Sequence, residues 1–275
     1  MINSITNAAT LYASAFTPFQ PMRRSVAVIT ASGDMRRPGC SGRVSMLDVS
    51  SIDSDLLKLT KNKVRLPNKI FSLSGYADPG KAGTNLKNNL APYVSNAEMI
   101  ETMNFLGECF KPSTLVGCAL KAIDKINDTC TEGEKIILVG HSMGARVSDL
   151  IIQIFKTRPD LNAHNVKITK FISLCGAHQG SEKAWLARFF CCNRNIAKDL
   201  VPDRIADADL LFTETRKTRA YYLAAANDWV IPPIYAAPAG NRITVLAGVS
   251  RVNAHIKILN DKAALTWILN ILQDL

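Results

Sequence analysis

One stretch of the chain limits its possible folds more than any other. Lys135 to Val139 (KIILV) runs directly into Gly140-His141-Ser142-Met143-Gly144. After it, Val147, Leu150, Ile151, Ile154 and Phe155 recur at i, i+3, i+4, i+7 and i+8, with Arg146, Asp149, Gln153 and Lys156 between them. The first segment has the composition of a strand covered on both faces. The third has the period of a helix with one apolar face, and its polar residues are expected on the opposite side. Small residues at 140 and 144 let the backbone turn sharply between the two, which leaves Ser142 on a strand-to-helix turn at the positive end of a helix dipole.

The rest of the chain repeats this alternation. Strands are expected at Lys69 to Leu73, Met99 to Phe105, Val166 to Leu174, Arg219 to Ala225 and Arg242 to Ala247. Helices are expected at Thr84 to Val94, from Pro112 through Leu115, Val116, Ala119, Leu120, Ile123 and Ile126, and at the end through Leu265, Ile268, Leu269 and Leu272. Such a sequence predicts an α/β fold: a mostly parallel central sheet with helices on both faces, its site in the loops at the carboxyl ends of the strands. With 275 residues, 47% of them hydrophobic, residues 23–275 are long enough to form one domain around a large core. Ser25 to Thr30 (SVAVIT) could add a strand, and otherwise residues 23 to 66 carry no clear pattern.

A serine hydroxyl attacks an acyl carbon only when a base takes its proton, and that base is usually a histidine steadied by a carboxylate. After a serine on such a turn, the acid and then the histidine are expected further along the chain. Of the four histidines, His141 lies inside the turn, His164 precedes a strand, and His178 comes too early. His255, in Asn253-Ala254-His255 after the last strand, remains as the expected base. Asp228 follows the strand YYLAAA directly and is the expected acid; Asp199, Asp203, Asp207 and Asp209 fall in a mixed polar segment.

GHSMG, NDWVIP and the late NAH together resemble the triad motifs of α/β-hydrolase lipases and esterases, across residues 67 to 275. Gly176-Ala177-His178-Gln179-Gly180-Ser181 is similar to the Pro-His-x-Gly-Ser segment of lipases, with Ala177 in place of the proline. The resemblance implies an α/β-hydrolase fold and hydrolysis of a carboxylic ester, most simply a lipid ester. It also implies that Ser142, Asp228 and His255 form the triad, while His141 and His178 shape the site. An oxyanion hole would take the backbone N–H groups of Met143 and Tyr76, with Gly75 beside them. Ser74 departs from the usual His-Gly-aromatic pattern, which puts side-chain support from that position in doubt. The same triad would serve a thioesterase or an acyltransferase, and a catalytically dead relative would keep the fold as a binding protein.

Between residues 181 and 218 the alternation breaks, where a small lid could be inserted. Trp185, Leu186, Phe189 and Phe190 repeat there among Lys183, Arg188 and Arg194. Such a segment fits a lid that meets lipid and equally a helix packed on the core. The net charge of +10 is compatible with contact at an anionic membrane surface. No basic stripe interleaved with aromatics points to nucleic acid. The seven cysteines have no paired spacing, so reduced thiols are expected, and no Cys/His spacing suggests zinc or another metal. Nothing calls for a cofactor. Residues 1–22 carry no charged side chain and read as a flexible tail or a non-cleaved export signal, without the pattern of a Sec signal peptide. Both a cytoplasmic and an exported protein fit.

Overall fold

The computed structural model describes residues 28–29, 35–36, 44–76, 78, 80–109, 113–181, 183–184, 194–201, 219–238, 241–249 and 253–273. β1 (Val28–Ile29) and β2 (Met35–Arg36) form an antiparallel pair of their own. Of the expected SVAVIT strand, the described residues Val28 and Ile29 form β1, paired outside the seven-stranded sheet. Then come β3 (Val44–Met46), α1 (Ile52–Lys61), β4 (Lys69–Leu73), α2 (Lys81–Leu90) and β5 (Ile100–Met103). They are followed by α3 (Leu106–Cys109), α4 (Leu115–Thr129), β6 (Lys135–His141), α5 (Met143–Thr157), β7 (Lys167–Leu174) and α6 (Arg194–Asp199). β8 (Arg219–Ala225), β9 (Ile243–Leu246), α7 (Ala254–Lys257) and α8 (Lys262–Gln273) complete the order.

Seven strands form one sheet in the order β3-β9-β8-β7-β6-β4-β5, and every pairing in it is parallel. Both faces are covered. Ile136 and Leu138 point to the side of α4 and α5, whereas Ile137 and Val139 pack with α1, α2 and α8. This period-2 partition of one continuous apolar strand is what a parallel sheet between two helix layers requires. No described helix is long and apolar enough to cross a membrane.

Three details differ from the sequence reading. α2 begins at Lys81 and ends at Leu90, earlier at both ends than expected. Asp78 accepts hydrogen bonds from the N–H groups of Gly80, Lys81 and Ala82, and these fix its start. α4 starts at Leu115 and not at Pro112, because the Thr114 hydroxyl accepts from Gly117 N at 3.1 Å as its cap. The largest difference is in α5. Arg146, Asp149 and Gln153 are buried and do not lie on a solvated face. Arg146 Nη1 and Asp149 Oδ2 pair at 2.9 Å within the helix, which supplies each buried charge with its counter-charge.

Candidate active site

β6 sits between β4 and β7, and its carboxyl end delivers Ser142 to the top of the sheet. Ser142 has φ 56° and ψ −123°, a conformation that costs a non-glycine residue about 1–3 kcal/mol. Its surroundings impose it. Ser142 N–H donates to Leu174 O at 3.0 Å, and its carbonyl accepts from Ala145 and Ala177 N–H, each at 3.1 Å. The turn leaves no room for side chains on either side. A Cβ on Gly140 would lie 2.3 Å from Ala145 Cα, and one on Gly144 would lie 2.2 Å from Leu73 O. The pentapeptide thus seats the first turn of α5 directly on the ends of β4 and β6.

Asp228 and His255 arrive from separate elements. Asp228 follows β8, is 4% exposed, and its Oδ1 accepts from Val230 N at 2.8 Å and Ile231 N at 3.0 Å. Its Oδ2 lies 2.7 Å from His255 Nδ1. Burial pushes this carboxyl up, but the hydrogen bond and charge of His255, the Ile231 N–H and the Cys175 thiol outweigh it, so it sits below its ordinary value. The carboxylate therefore accepts the proton on His255 Nδ1, which leaves Nε2 as the basic nitrogen. His255 stands in the first turn of α7 and not in an open loop. Asn253, just before it, has φ 62° and turns the chain into that helix.

His141 links the turn at Ser142 to this pair. Its Nε2 lies 2.7 Å from the His255 carbonyl, and the two rings are 4.8 Å apart, centre to centre. Burial and the neighbouring His255 push His141 down to about 3, so it is neutral and donates from Nε2. No hydrogen bond joins Ser142 Oγ to His255 among the described residues. Asp228 and His255 are in direct contact, and His141, next to the half-buried Ser142 in the chain, meets the His255 backbone carbonyl.

Gly75 lies against the serine: a Cβ on it would fall 3.1 Å from Ser142 Cβ and 3.5 Å from Ser142 Oγ. The loop after β4 therefore passes directly over Ser142, with Tyr76 next in the chain, and Met143 begins α5 directly after it. Ser74 replaces side-chain reach with a local role, since its buried Oγ accepts from Gly83 N at 3.3 Å and ties α2 to the loop. His178 is fully buried beneath the turn, its Nε2 2.9 Å from Ser173 Oγ. The segment around it pins the acid's loop. Gln179 Nε2 donates to Ile234 O and Ala237 O, and Ser181 Oγ donates to Val230 O at 2.6 Å. Trp185, Leu186, Phe189 and Phe190 lie outside the described residues. So do Asp203, Asp207 and Asp209, whereas Asp199 accepts from Leu115 N at the start of α4.

Two features were missed by reading the residues in order. The ion pair of Arg146 and Asp149 looked like a solvated face. Cys175, fully buried at the end of β7 with φ 46°, faces the Asp228 carboxylate, and burial together with that charge holds its thiol well above its ordinary value. Nothing in the spacing of the sequence brings Cys175 next to Asp228. Only the adjacency of β7 and β8 does.

The sheet order, the turn at Ser142 and the layers on both faces define an α/β-hydrolase fold. Known structures agree. The metagenomic carboxyl esterase MGS0156 superimposes with a TM-score of 0.52 at 17% identity, covering 77% of each chain. Phospholipase PlaB from Legionella pneumophila gives a TM-score of 0.55 at 15% identity over 74% of this chain, which spans 59% of that enzyme. Bacillus licheniformis lipase BlEst2 gives 0.51 at 13% identity, over 75% of this chain and 91% of the lipase. The family model of lecithin:cholesterol acyltransferase matches residues 119–200, a segment that includes Ser142 and His178 but stops before Asp228 and His255. No curated protein sequence matches the chain.

Proposed function

We propose that the protein is a serine hydrolase that cleaves a carboxylic ester, with a lipid ester as its substrate. The observation that carries this reading is the 2.7 Å contact of His255 Nδ1 with Asp228 beside a serine held in a strained turn. Ser142 Oγ attacks the acyl carbon as His255 Nε2 takes its proton. The backbone N–H groups of Tyr76 and Met143 receive the oxyanion, and His255 returns the proton to the leaving alcohol. Water, activated by the same histidine, then releases the acid from Ser142. Apo hydrolases commonly lack a tight serine–histidine bond, which forms once substrate is bound.

Two exposed side chains support an apolar substrate. Trp229 and Ile256 directly follow the acid and the base, and are 58% and 55% exposed. Two exposed apolar side chains, with Lys257 next to Ile256 in the chain, suit the surface of an anionic lipid aggregate. Transfer of the acyl group to an alcohol in place of water is the second reading, supported by the acyltransferase family model that matches the segment around Ser142. Hydrolysis of a p-nitrophenyl ester by the wild type, and its loss in Ser142→Ala with an unchanged circular dichroism spectrum, tests the reading. Supplying a long-chain alcohol and measuring the new ester against released acid separates transfer from hydrolysis.

A further inference from the structure

Cys175 Sγ, an Asp228 carboxylate oxygen and a ring nitrogen of His255 all lie within 4.8 Å of one another, and all three residues are buried. A thiol, an imidazole and a carboxylate in one cluster form a donor set for a soft divalent cation. Cys175 is well fixed for this, with its N–H on Leu223 O at 2.8 Å, and Asp228 keeps its Oδ1 on two backbone N–H groups.

We propose that Cys175, Asp228 and His255 form an inhibitory binding site for a thiophilic divalent cation such as zinc or cadmium. The zinc bond lengths to sulfur, nitrogen and oxygen place tetrahedral ligand atoms about 3.3–3.7 Å apart. The Nδ1 to Oδ2 contact of 2.7 Å must therefore open by about 0.6–1.0 Å, and a ligand pair at the 4.8 Å limit must close by about 1.1–1.5 Å. The thiol loses its proton to solvent. The imidazole proton passes from Nδ1 to Nε2 as the metal takes the Nδ1 lone pair. One thiolate and one carboxylate then neutralise the dication, so no net charge remains in the buried site. Nε2, now carrying hydrogen, can no longer accept the proton of Ser142. The fourth metal position is left to water. Magnesium and calcium, which prefer all-oxygen sites, are excluded by the sulfur.

The inhibition, though not the binding, rests on the triad reading above, so the test reads both. Cadmium is titrated into the full chain and into Cys175→Ala, and the cadmium–thiolate absorption is taken as the difference between them. The same difference is measured in a Ser142→Ala background, where no activity is needed. Cys175→Gly serves as the second variant, because glycine adopts the positive φ of this position without strain. In parallel, zinc is titrated against p-nitrophenyl ester hydrolysis, with magnesium as control and a chelator for reversal. The expected result is one thiolate equivalent that depends on Cys175, and a chelator-reversible inhibition weakened about 100-fold or more in both variants. Equal inhibition of the wild type and both variants, or no absorption that depends on Cys175, would overturn the site. An absorption change without any ester hydrolysis in the wild type keeps the metal site and counts against the hydrolase.

Discussion

The molecule holds two buried aspartate–histidine pairs close to the Ser142 turn: Asp228 with His255, and Asp149 with His178. They contain the same two residue types but differ in geometry. In the first, Nδ1 and Oδ2 are 2.7 Å apart and the His255 side chain keeps 11% of its surface open. In the second the corresponding distance is 3.7 Å and His178 has no exposed surface. Its Nε2 is taken by Ser173 Oγ, and the rings of Phe171 and Tyr222 meet its ring edge-on. A general base needs one ring nitrogen fixed by a carboxylate and the other open toward the nucleophile. The first pair has the short carboxylate contact and a partly open side chain, and the second has neither. The second, beside the buried Arg146, forms part of the support beneath the turn.

Substitutions should separate the two pairs. His255→Gln is expected to lower kcat by about a million-fold, as removal of a triad histidine does elsewhere, with little change in urea denaturation. His178→Gln should keep kcat within about tenfold and lose stability. Comparable losses from the two variants would erase the distinction. One step down in size, Asp228→Asn should reduce kcat about 10,000-fold, because the amide favours the wrong imidazole tautomer. Asp149→Asn removes the carboxylate that pairs with buried Arg146, and should cost about 3–5 kcal/mol of unfolding free energy while the chemistry persists.

The pH dependence of stability offers a smaller effect. His141 titrates near 3 in the folded protein and near its ordinary 6.5 when unfolded. Above 6.5 it is neutral in both states and contributes nothing. As the pH falls from 6.5 toward 3 the unfolded chain binds the extra proton, so stability drops by up to tenfold in the folding constant per pH unit. Asp228, whose folded value is depressed, adds its own loss as the pH falls below its ordinary 3.8 toward that lower folded value. His141→Asn should flatten the slope of unfolding free energy between pH 6.5 and 4, as measured by urea titration. An unchanged slope would mean that His141 is charged in the fold. The smallest effect belongs to the rim. Trp229→Ala with Ile256→Ser should weaken sedimentation with anionic vesicles about tenfold while leaving hydrolysis of a soluble ester intact. Equal vesicle binding would argue against a lipid-facing rim.

Much of the fold was legible because the strands of a parallel sheet are apolar on both faces, and KITKFISL, KIFSL and the run before Gly140 read as such. The positions of Ser142 after β6, Asp228 after β8 and His255 after β9 were legible for a related reason, since loops at strand ends punctuate the apolar runs. Burial of polar residues was not. Arg146 and Asp149 have the spacing of a solvated helix face, and only the packing of α5 against α4 and the sheet shows that they pair inside the protein. Cys175 was equally hidden, because its relation to Asp228 exists only through the pairing of β7 with β8. Helix ends moved for local reasons, as Asp78 and Thr114 cap positions that apolar periodicity does not mark.

Whether Ser142 is a nucleophile activated by His255 is read directly by intact-mass analysis after exposure to a fluorophosphonate probe, with peptide mapping of the adduct. A single adduct on Ser142 is expected in the wild type, absent in Ser142→Ala and slowed by several orders of magnitude in His255→Gln but not in His178→Gln. No adduct on a correctly folded wild type, or labelling that proceeds equally without His255, would contradict it.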